Sequence, residues 1–232
     1  MIDTTFDVYS DSRGRDPDSH SQTLRRFHQT LWSKPLPSGK PFDLAADMPG
    51  HYLLHRSDLG EFSLSSDSIG HTYRHVNATA HIMQDVLVDD MARFFSICST
   101  VGGYILFPAK KVDGKTTING ARGLNAKIRD RFDLTLECIR RHYAGEASPL
   151  NEVLARYADF FALFGSFEGY ADFFLLQDLT TGNGAAVRFT LPFDNFESKP
   201  LPADLAAYLA YREAMMEFIE GRNNRMLRQV SG

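Results

Sequence analysis

The chain has 232 residues, 43% of them hydrophobic and 23% charged, with 18 Phe, 9 Tyr and one Trp. That apolar mass is enough for a core and excludes wholesale disorder, while a formal charge of −4 excludes a generally basic protein that coats nucleic acid. No apolar run approaches the roughly 18 residues that span a bilayer, and residues 1–10 lack the basic start and apolar centre of a signal peptide. A cytoplasmic protein with no membrane partner is the expectation.

In chain order, FDVY near the start alternates like an edge strand. From Asp18 or Ser19, either a good N-cap, a helix carries Leu24, Phe27, Leu31 and Trp32 on one face and stops before Lys34-Pro35. Residues 51–57 and 61–66 form two strands of a hairpin across Asp58-Leu59-Gly60. A helical pattern runs from Ile69 to Ser99, and VGGYILFP follows as a strand closed by proline. Residues 126–143 carry an apolar stripe of Ile128, Phe132, Leu136, Ile139 and Tyr143. Ser148-Pro149 opens another helix to about Phe164. GYADFFLLQDL and AAVRFTLPF flank TTGNG as a second hairpin, near 172–191, and a long helix closes the chain from Asp204 to about Leu227. Cys98 and Cys138 both lie within helical apolar patterns and read as buried, reduced thiols. No linker separates two cores. The expectation is a single α+β domain over residues 1–232, mainly antiparallel sheet packed by about five helices.

The small net charge hides two poles. Residues 105–131 hold seven cations against two carboxylates, and residues 145–204 hold nine carboxylates against three cations. The basic segment includes Lys110, Lys111, Arg122, Arg129 and Arg131, and Asn119-Gly120-Ala121-Arg122-Gly123 precedes a helix, where glycines admit close approach and unpaired N–H groups favour an anion. These five cations are the candidate phosphate-binding residues; the alternative is a merely solvated basic loop. On the following helix Asp130, Asp133 and Glu137 fall at i, i+3 and i+7, so their carboxylates can share a face. They are the candidate catalytic residues, holding Mg²⁺ or acting as a general base. Alternatively they are tied up in intrahelical pairs, Arg129 with Asp133 and Glu137 with Arg141.

His71, His75 and His81 have a spacing a metal could use on a helix, but they lack the glutamate of H-E-x-x-H, and no metal site is assigned. His51 and His55 would stand roughly 13 Å apart on a strand, too far to share an ion. His28 lies beside the apolar stripe and reads as a buried, hydrogen-bonded imidazole. Trp32 and Lys34 could stack a base and hold its phosphate, although a lone Trp on an apolar stripe is more often a core anchor. No G-x-S-x-G, C-x-x-C, Walker lysine or dinucleotide fingerprint occurs.

Three blocks, DPDSHSQTLRRFHQTLWSKPLPSGKPF, TINGARGLNAKIRDRFDLTLECIRRHY and RYADFFALFGSFEGYADFFLLQDL, resemble a family of functionally uncharacterised bacterial proteins of similar length. The likeness covers nearly the whole chain and implies a single domain. It carries no activity, cofactor or site residue.

Two functions follow from the residues. One is action on, or binding of, a phosphate-bearing ligand (nucleic acid or nucleotide) through residues 110–131. The other is a noncatalytic module whose poles recognise a protein partner or a second copy of the chain.

Overall fold

The computed structural model describes residues 2–46, 52–182 and 184–231. Short helices α1 (Val8–Asp11) and α2 (Pro17–His20) lead into α3 (Gln22–Trp32). FDVY is therefore helical at its end rather than a strand. The N-cap of α3 is Ser21, whose hydroxyl accepts the Leu24 N–H, while the Asp16 carboxylate caps α2. Lys34–Pro35 (β1) and Pro41–Phe42 (β2) make a two-residue antiparallel pair.

The main sheet is antiparallel, in the order β3 (Ala45–Ala46), β4 (Leu53–Ser57), β5 (Gly60–Ser68) and β6 (Tyr104–Pro108). Its first hairpin lies where the alternating pattern put it, with Leu53 opposite Leu64 and Ser57 opposite Gly60; His51 lies outside the described residues. β6 completes the sheet, with Asp67 opposite Ile105.

Residues 69–99 are not one helix. Tyr73 adopts a left-handed φ of 58°, and α-helix forms only at α4 (Ala80–Met83) and α5 (Val88–Cys98), with a single 3-10 turn at Asn77–Thr79. After β6 come α6 (Ile118–Leu124) and α7 (Phe132–Ala144), which starts six residues later than its apolar stripe implied because Arg129 and Asp130 are both left-handed. The helix expected to reach Phe164 is broken into α8 (Asn151–Arg156) and α9 (Ala158–Ala162). Much of GYADFF belongs to α10 (Phe167–Phe173), so the second hairpin shrinks to β7 (Thr180–Thr181) and β8 (Ala186–Val187). The closing helix α11 (Leu205–Ser231) starts within a residue of the expected Asp204 and runs on past Leu227 to Ser231. Antiparallel strands with helices segregated from them make an α+β fold.

One apolar cluster joins residues from Ile2 to Met226. Its densest part is aromatic, with Trp32, Phe164, Phe173 and Phe174 at centroid separations of 5.0 to 6.1 Å. α11 crosses it, burying Tyr208, Tyr211, Met215, Met216, Ile219 and Met226. At its centre the guanidinium of Arg222 donates to the carbonyls of Phe174, Gly102 and Tyr104 and lies 5.5 Å from the Trp32 ring centroid. Burial pulls its pKa down, and the carbonyls and the ring face hold the cation in place.

The contact at Gly102 is close. Its N–H donates to Asn223 Oδ1 at 2.8 Å, and a Cβ there would stand 2.9 Å from the Ile219 carbonyl oxygen. Gly102→Ala is expected to lower the unfolding free energy by about 2 kcal/mol in urea titration, as overpacking does. An unchanged midpoint would mean that α11 moves away at no cost.

Among the described residues, no helix is long and apolar enough to cross a membrane.

Candidate functional site

Arg122, on α6, points inward and is 1% exposed. Its Nη1 donates to Asp67 Oδ2 at 2.6 Å and to the Ser68 carbonyl at 2.9 Å, its Nη2 to the Asp130 carbonyl at 2.8 Å and its Nε to Thr135 Oγ1 at 3.1 Å. Burial works against the charge on Arg122, and the Asp67 and Asp130 carboxylates overcome it, holding its pKa above the ordinary value. Asp67 was not visible as a partner in the sequence, since 55 residues separate the two.

Arg131 and Asp133 form a second, fully buried pair in fork geometry, Nε to Oδ1 at 3.0 Å and Nη2 to Oδ2 at 2.7 Å. Arg131 also donates to the carbonyls of Pro200 and Leu191, and Asp133 accepts from the N–H and hydroxyl of Thr190 at 2.8 Å each. Asp133 thus ties the N-terminus of α7 to the segment after β8. Glu137, also buried, takes Arg140 at 2.8 and 3.0 Å and Arg141 at 2.7 Å.

This geometry revises the candidate catalytic set. Asp130, Asp133 and Glu137 do not share a solvent face: Asp130 precedes the helix, and the other two are buried with their oxygens occupied by donors. The expected Glu137–Arg141 pair is present. Asp133, however, pairs with Arg131 rather than Arg129, because the left-handed turn at 129–130 leaves Arg129 outside the helix. Likewise Arg122 and Arg131 have no face turned to an external phosphate. Among the described residues, no three His, Cys, Asp or Glu side chains group as metal ligands.

Trp32 is wholly buried and offers no face to a base. Its Nε1–H donates to His28 Nδ1 at 3.0 Å, which fixes the neutral imidazole with its hydrogen on Nε2. Nε2 then donates to Ser66 Oγ at 3.0 Å, and Ser66 donates to Asp18 Oδ1 at 2.8 Å. In this order the imidazole cannot take the serine proton, so the chain Trp32–His28–Ser66–Asp18 is a satisfied core network and not a nucleophilic triad. His71 and His75 are separated by the left-handed Tyr73 and share no helix face; the His71 N–H and carbonyl both bond the Tyr211 hydroxyl. Cys98 and Cys138 are buried free thiols, and burial pushes the Cys138 thiol up to about 12.

The model of a family of unknown function, DUF6994, matches residues 2–226. The chain belongs to that family. No curated protein matches the chain, and no solved structure does.

The DUF6994 match spans the remaining feature of the basic segment, the loop from β6 to α6 (residues 109–117). Lys110, Lys111 and Lys115 are exposed there, as is Arg129 beyond α6, and among the described residues none of the four has a carboxylate within 4.0 Å. Both ends of the loop are anchored. The Tyr157 hydroxyl donates to the Lys110 carbonyl at 3.0 Å, and Arg156 Nη2 donates to the Thr116 carbonyl at 2.9 Å. Lys127 differs from them, being paired with Glu197 across an open cleft.

Proposed function

We propose that the chain binds a phosphate-bearing polymer, a nucleic acid, through the lysines of residues 109–117. The observation that carries this reading is the division of the basic segment. Its buried arginines are neutralised inside the fold, while Lys110, Lys111 and Lys115 stay exposed and, among the described residues, without carboxylate partners on a loop anchored at both ends. A row of lysines on an exposed loop suits repeated phosphates. It contacts backbone rather than base edges, so binding is largely indifferent to sequence. The acidic remainder of the chain keeps it weak.

The test is fluorescence anisotropy with a labelled single-stranded 20-mer across a salt series. Three phosphate contacts predict that log affinity falls against log salt with a slope of about −2. Lys110→Glu with Lys111→Glu and Lys115→Glu should weaken binding at least tenfold at low salt and flatten that slope. Equal affinity of the triple variant, or no binding by the unsubstituted chain at 50 mM salt, overturns the assignment.

A further inference from the structure

A second feature lies near Trp32. Lys34 in β1 sits on a groove of about 470 Å³ whose walls are Pro35, Leu36, Pro37 and Phe173, with Glu168 and Asp172 at the side. Its Nζ is 4.7 Å from the Phe173 ring centroid and 5.1 Å from that of Trp32. Its one side-chain hydrogen-bond partner among the described residues is neutral, Gln229 Oε1 at 2.7 Å. The Gln229 amide cannot turn freely, because its Nε2 donates to the Leu31 carbonyl at 2.6 Å, and so an acceptor stays fixed beside Nζ.

We propose that Lys34 captures a small, uncharged aldehyde or ketone in this groove and holds it as an imine on Nζ. The neutral amine's lone pair attacks the carbonyl carbon, forming a C–N bond as the C=O π pair moves to oxygen. The carbinolamine then loses water, whose two hydrogens both come from the amine, and leaves C=N. When that nitrogen is protonated, its single N–H points at the fixed Gln229 oxygen. The apolar walls suit an alkyl or aryl group. Glu168 and Asp172 turn away an anionic keto acid.

The environment also supplies the neutral amine. Burial, reinforced by the Arg222 cation and opposed by Asp172, brings the Lys34 pKa down to about 8. At pH 7.5 roughly a quarter of such a group is unprotonated, against roughly one part in a thousand for an ordinary lysine.

The experiment treats the full chain with butyraldehyde and sodium cyanoborohydride at pH 7.5 and maps the reduced adduct over all seven lysines by peptide mass spectrometry. Lys34 should be labelled at least tenfold faster than Lys115, with a rate that saturates as butyraldehyde rises, whereas Lys115 responds linearly. Glyoxylate, an aldehyde that carries a negative charge, should show no preference for Lys34 over Lys115. Labelling of Lys34 no faster than Lys115, a non-saturating rate, or equal preference with glyoxylate would each overturn the proposal. The measurement needs no substitution, so a folding defect cannot obscure it. It is also independent of polyanion binding.

Discussion

An Arg122→Ala chain should unfold in urea with a free energy about 3 to 5 kcal/mol below that of the unsubstituted chain, the cost of removing one member of a buried ion pair. Arg122 meets four acceptors from three parts of the chain: Asp67 and the Ser68 carbonyl at the end of β5, the Asp130 carbonyl before α7, and Thr135 within α7. Alanine would leave the Asp67 carboxylate with no cation 2.6 Å away, in a place where burial already raises its pKa. Arg122→Lys should recover only part of the loss, since a single ammonium cannot reach acceptors fanned around a planar guanidinium. Asp67→Leu combined with Arg122→Met should be far more stable than Arg122→Ala, because it removes both charges together. A loss below about 1 kcal/mol for Arg122→Ala would show that the sheet and α7 do not depend on this pair. The folded fraction of Arg122→Ala should still bind the oligonucleotide. The exposed lysines of residues 109–117 are untouched, so the structural cations and those proposed to bind are separable by experiment.

That separation marks how far the sequence could be read. Local patterns located the elements that rest on local contacts: the β4–β5 hairpin, the apolar stripe of α3, the start of α11 and the Glu137–Arg141 pair one helical turn apart. The errors have equally physical causes. Phe and Tyr favour strands, which made GYADFF look extended, yet Phe167, Tyr170, Ala171 and Phe174 recur at the three- and four-residue spacing of a helix that buries one side. Arg129 and Asp130 take left-handed dihedrals that their residue types do not announce, and this moved the start of α7 and the partner of Asp133. Arginines and aspartates are usually on the surface, so a run of them gives no sign of which go inside. The partners that decide it, Asp67 for Arg122 and Thr190 for Asp133, lie 55 and 57 residues away.

Asp18 should make the chain less stable as pH rises from about 4 to 7. Its carboxylate is buried beneath β5, where both oxygens accept the Ser66 N–H at 2.9 Å and Oδ1 also accepts the Ser66 hydroxyl. Burial raises its pKa to about 7, outweighing those hydrogen bonds. Between the ordinary carboxylate value and about 7 the folded chain keeps this proton while the unfolded chain has lost it. Rising pH therefore favours unfolding across that window, by an amount on the order of 4 kcal/mol in total. Below it both states are protonated and the effect vanishes; above it both are ionised and the loss is constant. Other acids titrate in the same range, so the measurement that isolates Asp18 is the difference between the unsubstituted chain and Asp18→Asn at pH 4.5, 6 and 8. The amide keeps an acceptor for Ser66 and carries no charge to bury, so Asp18→Asn should gain on the unsubstituted chain at each step and be the more stable of the two at pH 8. A difference that stays constant with pH would place the Asp18 pKa near its ordinary value, and the Trp32–His28–Ser66–Asp18 chain would then end on a carboxylate that costs nothing to ionise.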